Sequence, residues 1–302
     1  MRASIIIPTR NEEANIGSCL ERVYEQSVDF PFEVVVIDSG SQDRTLEIVS
    51  NYPALLLQIS PSEFHHARTR NFAAAASSGE YLVFLSGDAI PADKNWLAAL
   101  LRDFEDTEIA AVYGRQLPKP NATPERKFFM HYRYGIERHV KSANRNGTGK
   151  HTHYQFSNVN SAIRRVVWEK FPFPEDLDAY EDFSFAMRIV RQGHSIAYEP
   201  EAAVFHSHNY SLARSFQQYF DSGVLYRRRQ LWDSRQKNQM RSDGMNYLWS
   251  EIQYLLQHRA GHRLPYVLCY EAARYLGLSL GRNEHLLPLA IKKKASSHRL
   301  FG

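Results

Sequence analysis

Short β-forming runs alternate with segments of helical spacing along the first 210 residues. The runs are rich in Ile, Val and Leu and end at turn-forming residues, whereas the segments between them repeat apolar residues every three or four positions. Such alternation predicts an α/β fold with a mostly parallel sheet, helices on both faces and right-handed crossovers. The predicted strands are residues 4–8, 33–38, 54–59, 81–85 and 109–113, and the predicted helices are residues 13–26, 45–50, 67–77 and 93–104.

The pattern is less regular after residue 120 and becomes continuously helical from Leu212 onward. We therefore predict two domains, an α/β domain over residues 1–208 and a helical, basic extension over residues 209–302. The elements expected between them are a helix over 124–140, a mobile loop over 141–150 that could cover a site, a strand-like segment over 155–163, helices over 165–171 and 179–188, and short strands over 196–199 and 203–205.

Acidic residues stand at the carboxyl ends of two predicted strands, which is where ligands bind in open α/β sheets. Asp38 ends the second strand, and Asp88 follows the fourth strand after Ser86 and Gly87. Both positions are candidates for chemistry. Asp also forms turns and caps helices, so a structural role for either residue stays open.

Two further pairs of residues are candidates for a site. Glu181 and Asp182 fall in the first turn of a predicted helix, whose dipole favours ionised carboxylates there. His206 and His208 occupy alternate positions after a predicted strand and would share one face, so both could meet one ligand. Exposed histidines without any role are common, however, and a charge pair at a helix start can be purely structural.

Composition and motifs exclude several classes of protein. Cys19 and Cys269 lie far apart without metal-ligand spacing, which argues against a disulfide framework or a zinc site and favours a reducing cytosol. The first residues lack a signal-peptide pattern, and no apolar run reaches membrane-spanning length. The sequence contains no glycine-rich phosphate loop and no nucleic-acid-binding motif.

The net charge of +4 conceals an asymmetry along the chain. Residues 209–302 contain 15 Lys and Arg against 6 Asp and Glu, whereas the preceding residues carry a net negative charge. A basic tail suggests an anionic partner such as a membrane surface, and a solvated helical face is an equally good explanation of the charge.

Five motifs in this order resemble those of the family-2 glycosyltransferases, which have the GT-A fold. Residues 7–13 (I-P-T-R-N-E-E) are similar to the family's I-P-x-x-N-E opening, and residues 36–45 to its V-D-D-G-S-x-D-x-T segment. Residues 68–71 followed by 79–85 resemble the A-R-N helix that leads into the metal strand. Ser86-Gly87-Asp88 occupies the D-x-D position, and Glu181-Asp182 matches the acceptor-side E-D helix. The order and spacing of the five motifs across about two-thirds of the chain make the resemblance specific.

Two departures from the family pattern refine the resemblance. Ser86 stands where the first Asp of D-x-D is usual, and the Q-x-x-R-W motif of processive synthases is missing, so transfer of one sugar is favoured over polymerisation. Residues 79–91, 206–211 and 275–282 resemble the bacterial rhamnosyltransferase branch of O-antigen and exopolysaccharide assembly.

The resemblance implies an inverting, non-processive transfer of L-rhamnose from dTDP-rhamnose to a glycan or lipid-linked glycan. Asp182 would be the catalytic base, and Glu181 would bind or orient the acceptor. Asp88, with His206 or His208, would hold Mg²⁺ or Mn²⁺ on the diphosphate. The implied nucleotide-sugar-binding residues are Pro8, Thr9, Glu12, Asp38, Arg70, Ser86, Gly87 and Asp88.

Two alternatives keep the fold and change the function. The enzyme could use another nucleotide sugar such as a UDP-hexose, or the domain could bind a nucleotide or glycan without turnover, which Ser86 and Ala89 favour and Asp182 opposes. The expected location is cytoplasmic, with peripheral contact at the inner membrane face through the basic tail. A homodimer is possible, and no nucleic-acid partner is expected.

Overall fold

A computed structural model describes residues 1–142, 155–176, 180–228, 234–297 and 300–301, with the backbone alone described for residues 234–241. The described chain forms two compact units. The first is Met1–Lys119 with Tyr134–His206, and the second is Pro120–Arg133 with Ser207–Gly302. The domain boundary at residue 208 stays a prediction from the sequence pattern.

The first unit is an α/β sandwich, as the alternating pattern predicts. Its strands are β1 (Ala3–Thr9), β2 (Phe32–Asp38), β3 (Leu55–Gln58), β4 (Tyr81–Leu85), β5 (Ile90–Pro91), β6 (Ile109–Leu117), β7 (His139–Lys141), β8 (Asn160–Arg164) and β9 (Ser195–Phe205). Its helices are α1 (Ile16–Tyr24), α2 (Thr45–Val49), α3 (His66–Ala75), α4 (Trp96–Arg102), α6 (Arg165–Lys170) and α7 (Glu181–Arg191).

The strands form one sheet in the order β3-β2-β1-β4-β8-β6-β9-β5, and β7 pairs with β9. β1 is parallel to β2 and β4, β2 is parallel to β3, and β6 is parallel to β9. β8 is antiparallel to both of its neighbours, β4 and β6. The sheet is therefore mixed, and its first four strands in chain order form a parallel half.

β1, β2 and β4 are apolar on both faces, so both faces of the sheet must be covered. One face packs Ile5 and Val83 against Ile16 and Leu20 of α1. Phe84 points to the opposite face, where its ring meets that of Phe173 edge to face with 5.1 Å between centroids. This double burial explains why these strands read as continuous apolar runs.

Parallel pairing gathers the site motifs at one edge of the sheet. β1 and β2 are in register so that Thr9 lies beside Asp38 at their carboxyl ends. β4 runs parallel to β1 on its other side and ends just before Ser86 and Gly87. Residues far apart in the sequence are thus brought to one edge by strand direction alone.

Some predicted elements differ from the structure, and one cannot be compared with it. The helix predicted over 124–140 ends at Arg133, before Gly135, and residues 139–141 join the sheet as β7. The strands predicted at 196–199 and 203–205 are one strand, β9, whose register with β6 shifts between Gly114 and Arg115. The loop expected over 141–150 lies outside the described residues from position 143 onward.

The second unit is helical and contains the predicted C-terminal helices. Its helices are α5 (Pro124–Arg133), α8 (Leu212–Arg228), α9 (Ser234–Gln257), α10 (Leu264–Arg282) and α11 (Leu289–Ala295). α8 and α10 pack at close range because α10 presents Gly277 and Gly281: a Cβ at these positions would lie 2.3 Å from the Phe216 carbonyl oxygen and 2.0 Å from that of Phe220. Within the described ranges, no helix of the chain has the length and apolar character needed to cross a bilayer.

Candidate active site

The loops that follow β1 and β2 are tied together by reciprocal hydrogen bonds. The backbone N–H of Asn11 donates to Ser41 Oγ (2.8 Å), and that of Gln42 donates to Asn11 Oδ1 (2.8 Å). The backbone N–H of Glu12 donates to Thr45 Oγ1 (2.7 Å). These motif residues therefore build a fixed rim at the sheet edge, with Asn11 in the left-handed region at φ 53°.

Asp38 organises the loop that follows it. Its Oδ2 accepts from the backbone N–H groups of Gly40 and Ser41, each at 2.9 Å, and its Oδ1 accepts from the Ser41 hydroxyl. This is the turn-forming role that the sequence left open. Beside it, the buried hydroxyls of Thr9 and Ser39 have no hydrogen-bond partner among the described residues, so polar groups of a ligand could satisfy them.

Gly87 lets the loop after β4 lie against the end of β1. A Cβ at this position would be 3.1 Å from Thr9 Oγ1 and 3.4 Å from the Pro8 carbonyl oxygen. The preceding residue is anchored on the other side, because the Ser86 N–H donates to the Val159 carbonyl (3.1 Å). Pro8, Thr9, Ser86 and Gly87 thus lie together at one edge of the sheet.

The carboxylate of Asp88 is buried and faces two nitrogen-bearing side chains. Lys119 Nζ lies 3.6 Å and His206 Nε2 lies 3.5 Å from the same oxygen, Asp88 Oδ2. Lys119 also donates to Asn15 Oδ1 (3.3 Å), and Asn15 Nδ2 donates to Glu12 Oε2 (2.8 Å). Burial, with a contribution from the charge of Asp88, raises the pKa of Glu12.

His206 is held in a defined orientation by Gln116. The ring Nδ1 lies 2.9 Å from Gln116 Oε1, and Gln116 Nε2 donates to Ser157 Oγ (3.0 Å). Since an amide oxygen only accepts, Nδ1 carries the proton and Nε2 of a neutral ring presents its lone pair to Asp88.

This arrangement fits a divalent cation. A carboxylate oxygen and an imidazole lone pair converge, and a hydrogen bond on the far ring nitrogen is the usual support of a metal-bound histidine. The structure brings Asp88 and His206 together, and their role as metal ligands stays a prediction. His208 belongs to the second unit, where its ring stacks on that of Tyr210 with 5.4 Å between centroids.

Glu181 is held ionised by its neighbours. Its Oε1 lies 3.2 Å from Arg70 Nη1 and accepts a hydrogen bond from Asn158 Nδ2 (3.2 Å). Burial acts against ionisation, but the charges of Arg70 and His66 and the Asn158 hydrogen bond outweigh it and lower the pKa of Glu181. The structure therefore places Arg70, a predicted donor-binding residue, directly on an acceptor-side acid.

The pKa of Asp182 is shifted in the opposite direction from that of Glu181. Burial, together with the adjacent negative charge of Glu181, raises its pKa to about 7, although the N–H groups of Phe183 (2.7 Å) and Asn158 (3.3 Å) donate to it. The expectation that the helix dipole keeps both acids ionised is thus wrong for Asp182, because desolvation beside an ionised neighbour is the stronger effect. Tyr180 precedes the pair in the left-handed region at φ 65°.

Sequence reasoning missed Lys119, Gln116 and Asn158 as site residues. Lys119 and Gln116 follow or end β6, which the pattern stopped at Tyr113, so their position at the sheet edge was not visible. Asn158 lies just before β8, and its contacts to Glu181 and Asp182 depend on an antiparallel strand that spacing does not reveal.

The sequence of the chain is similar to those of known glycosyltransferases. The sequence profile of "Glycosyl transferase family 2" matches residues 4–171, more than half of the chain. The chain belongs to this family. The transferase is 37% identical over 301 residues to the O-antigen chain rhamnosyltransferase WbaN of Salmonella anatum, covering 99% of this chain and 95% of the relative. It is 35% identical to the O-antigen chain rhamnosyltransferase RfbN of Salmonella typhimurium, covering 100% and 96%.

Solved structures share the GT-A fold with this family-2 glycosyltransferase. The mannosyltransferase PcManGT from Pyrobaculum calidifontis, in complex with GDP-Man and Mn²⁺, has a TM-score of 0.61 at 20% identity and covers 93% of this chain and 86% of its own. Residues 1–349 of S. aureus TarS, in complex with UDP-GlcNAc, have a TM-score of 0.56 at 20% identity and cover 95% and 92%. The predicted fold and enzyme class are therefore confirmed.

Proposed function

We propose that the transferase moves L-rhamnose from dTDP-rhamnose, with inversion, onto a glycan or lipid-linked glycan in bacterial surface polysaccharide synthesis. The observation that carries this proposal is Asp182, a carboxylate with a pKa of about 7 beside the Glu181–Arg70 ion pair. A base titrating near neutral pH suits proton removal from a sugar hydroxyl. The full-length similarity to two O-antigen chain rhamnosyltransferases supports the choice of sugar.

In the proposed reaction, Asp182 takes the proton of the acceptor hydroxyl as its oxygen bonds to the anomeric carbon. The bond from that carbon to the diphosphate breaks, and the nucleoside diphosphate leaves from the opposite face, so the configuration inverts. Glu181 accepts a hydrogen bond from the acceptor, and Arg70 holds Glu181 ionised. A positioned base contributes about 10² to 10⁴ in rate.

Asp88 and His206 would hold Mg²⁺ or Mn²⁺, and a role of His208 as a further ligand stays a prediction from the sequence. When bound, the cation would balance negative charge on the leaving diphosphate. With Ser86 replacing one carboxylate, the protein supplies fewer anionic oxygens and the affinity for the cation alone is expected to be low.

The donor nucleotide would lie along the wall formed by the ends of β1, β2 and β4. Thr9 and Ser39 offer buried hydroxyls to the base or ribose, and Glu12 lies beside them on the same rim. Asp38 would take part through the turn that it fixes, and Lys119 would face the diphosphate. The remaining proposed contacts are Pro8, Arg70, Ser86 and Gly87.

The wider setting is also a proposal. We place the transferase in the cytoplasm with a lipid-linked acceptor at the inner membrane face, and a homodimer stays a prediction from the sequence. The competing functions are a UDP-hexose transferase and a non-catalytic binding module. All three functions are compatible with the same fold, so only measurements of ligand binding and turnover distinguish them.

The test is thermal stability of the purified protein with dTDP, UDP or GDP, each with and without Mn²⁺ or Mg²⁺, followed by turnover of dTDP-rhamnose. A ligand at 100 times its dissociation constant stabilises by about 2.7 kcal/mol, which a melting curve resolves. Metal-dependent stabilisation by dTDP, lost in Asp88→Ala, with turnover lost in Asp182→Asn while dTDP still binds, is the expected result. Preference for UDP would change the sugar, and absence of any nucleotide response would favour the binding module.

A further inference from the structure

Helix α10 buries one of its arginines and exposes several of its large apolar side chains. Arg274 is buried, pairs with Glu271, and lies under the rings of Tyr219 (4.4 Å to the centroid) and Tyr247 (5.3 Å). On the other side, Leu268, Tyr275 and Leu276 have exposed fractions of 49%, 61% and 53%. A helix in contact with water normally shows the reverse arrangement.

The exposed side of α10 cannot turn inward. Gly277 and Gly281 touch the backbone of α8, at distances where any side chain would overlap carbonyl oxygens. Rotating the helix would replace these glycines with leucine or tyrosine at the same contact. The apolar surface is therefore fixed in place by the packing of the opposite face.

The exposed residues form a stripe with helical spacing, which we name the outer face of α10. Its members recur three or four positions apart, so they lie along one side of the helix. The later helix α11 also exposes apolar and basic side chains, namely Leu289, Ile291, Lys293 and Lys294. The outer face consists of Leu268, Ala272, Tyr275, Leu276 and Leu280.

We propose that the outer face of α10, together with α11, docks on the interface of an anionic lipid bilayer. Leucine and tyrosine side chains suit the boundary between headgroups and acyl chains, and lysines bind anionic headgroups. Residues 209–302 carry a net charge of +9. Pairing two copies through this face would bring like charges together, whereas an anionic surface neutralises them. The proposal names the membrane partner of the proposed function.

The test is flotation with vesicles of phosphatidylcholine containing about 30% phosphatidylglycerol at low salt. The wild-type protein is expected to float with these vesicles and not with pure phosphatidylcholine. Leu276→Glu is expected to weaken binding at least tenfold, and replacing Lys293 and Lys294 by Gln about fivefold for each lysine. Val166→Glu on α6 of the first unit, where the exposed fraction is 70%, is the matched control and is expected to bind as wild type.

Unchanged melting curves and unchanged dTDP binding show that Leu276→Glu is folded. If wild type does not float, or if Leu276→Glu floats as well as Val166→Glu, the proposal is wrong. Sedimentation velocity tests the alternative that this face is a homodimer interface. A wild-type dimer that dissociates in Leu276→Glu would show that it is. Flotation needs no nucleotide, so failure of the donor proposal leaves this result interpretable.

A second, independent observation concerns the charge balance of Asp88. Its Oδ2 has Lys119 Nζ at 3.6 Å, and that ammonium is also held by Asn15. A divalent cation bound to Asp88 would meet the positive charge of Lys119 at close range, and two cations so placed repel each other strongly. Lys119 then needs another anion, and the diphosphate of the donor would be the nearest one to bind there.

We infer that Lys119 is the counter-ion of Asp88 in the donor-free enzyme and moves to the donor diphosphate when a divalent cation takes Asp88. This deepens the proposed function and rests on it. Metal and nucleotide would then bind with positive coupling, since each relieves the charge that the other leaves unbalanced. The cation alone would bind weakly.

Lys119→Met tests this inference because it is expected to strengthen the binding of Mn²⁺ alone and to weaken the binding of dTDP. Mn²⁺ alone, followed by calorimetry or electron paramagnetic resonance, is expected to bind about fivefold to tenfold more tightly to the variant. Binding of dTDP with Mn²⁺ present is expected to weaken at least tenfold. Lys119→Arg keeps the charge and serves as the matched control for both.

Unchanged or weaker Mn²⁺ binding in Lys119→Met would show that Lys119 does not compete for Asp88. Tighter Mn²⁺ binding with unchanged dTDP affinity would show that Lys119 does not reach the diphosphate. If the wild-type protein binds no nucleotide, the proposed function fails first, and the Mn²⁺ measurement still reports on the counter-ion.

Discussion

Glu181 and Asp182 are neighbours in one helical turn, yet their pKa values are shifted in opposite directions. Glu181 faces Arg70, which stabilises its charge, whereas for Asp182 the effect of Arg70 is smaller than those of burial and of the charge of Glu181. The negative charge of Glu181 is thus one of the causes that raise the pKa of Asp182 to about 7. The opposite pKa shifts of two adjacent acids therefore depend in large part on the position of the Arg70 guanidinium.

Asp182→Asn is expected to reduce turnover about 10² to 10⁴-fold with donor binding retained. In the wild type, kcat/KM is expected to rise with pH through about 7, because the base must be deprotonated.

The free energy of unfolding should fall over the same pH range. The native state holds the Asp182 proton more tightly than the unfolded chain, so this contribution is lost as pH rises from about 4 to 7.

Melting curves and rates across pH check both halves of this prediction. Above pH 7 the Asn variant should melt higher relative to wild type than it does at pH 4. An unaltered pH profile in a variant that still turns over would exclude Asp182 as the base.

Gln116→Leu tests the support of His206. Without the amide oxygen, the ring is free to adopt the other tautomer and to rotate, so Mn²⁺ affinity in the presence of dTDP should fall about 10 to 100-fold. Gln116→Glu, which keeps an acceptor at the same place, is the control expected to retain binding. Calorimetric titration with Mn²⁺ makes the comparison, and equal affinities in wild type and Gln116→Leu would contradict the assigned role.

At the scale of elements, the close packing of α8 on α10 depends on residues that have no side chain. Gly277 in a helix interior is unfavourable by about 1 kcal/mol relative to alanine, so its presence indicates a packing reason. The contact with the Phe216 carbonyl supplies it.

Gly277→Ala is expected to destabilise the protein by about 1 to 3 kcal/mol, because the clash with α8 outweighs the gain in helix propensity. Gly244→Ala is the matched control. Gly244 also lies within a helix, α9, but a Cβ there would meet no atom of the described residues within 4 Å, so alanine should stabilise by about 0.5 to 1 kcal/mol. Denaturant unfolding measures both, and a common sign for the two variants would refute the packing argument.

At the scale of the whole molecule, buried acids limit stability at alkaline pH. Glu251 is buried, and burial together with the charges of Glu271 and Glu125 raises its pKa to about 8. Asp182 is shifted in the same direction. For such groups the native state binds protons more tightly than the unfolded chain, so stability falls as pH rises toward 8.

The melting temperature of the wild type is therefore expected to fall between pH 6 and pH 9. Glu251→Gln removes one buried charge and should melt higher than wild type at pH 9, by an amount equivalent to about 1 to 3 kcal/mol, with little difference at pH 5. A scan of melting temperature against pH checks the slope. A difference between the two proteins that does not change with pH would point to packing instead.

The parallel half of the fold could be predicted because each strand carries its own signal. β1, β2 and β4 are buried on both faces, so local composition reveals them, and parallel pairing then places Thr9, Asp38 and Asp88 at one edge. Asp38 and Asp88 are candidates because of their positions at strand ends, and Glu181 and Asp182 because of their position in the first turn of a predicted helix.

The other half depends on pairing between distant segments. The sequence around Pro200 and Glu201 predicts an end to the strand, but β9 continues through both residues. The pairing of β9 with β6 changes register there instead. Lys119 became a site residue only through its distance to Asp88, and the shifted pKa of Asp182 only through burial. Local patterns contain neither kind of information.

The position of β8 has a consequence for synthesis of the chain. β8 is the strand that joins β4 to β6, and it is made after both of them. A growing chain that has not yet reached residue 160 can pair its first four strands, but it leaves the edge of β4 open and gives β6 no route to the sheet. Open edges of apolar strands attract other chains. The interval between synthesis of β4 and synthesis of β8 is thus when a nascent chain most needs protection from aggregation, and fragments that end within it should be insoluble.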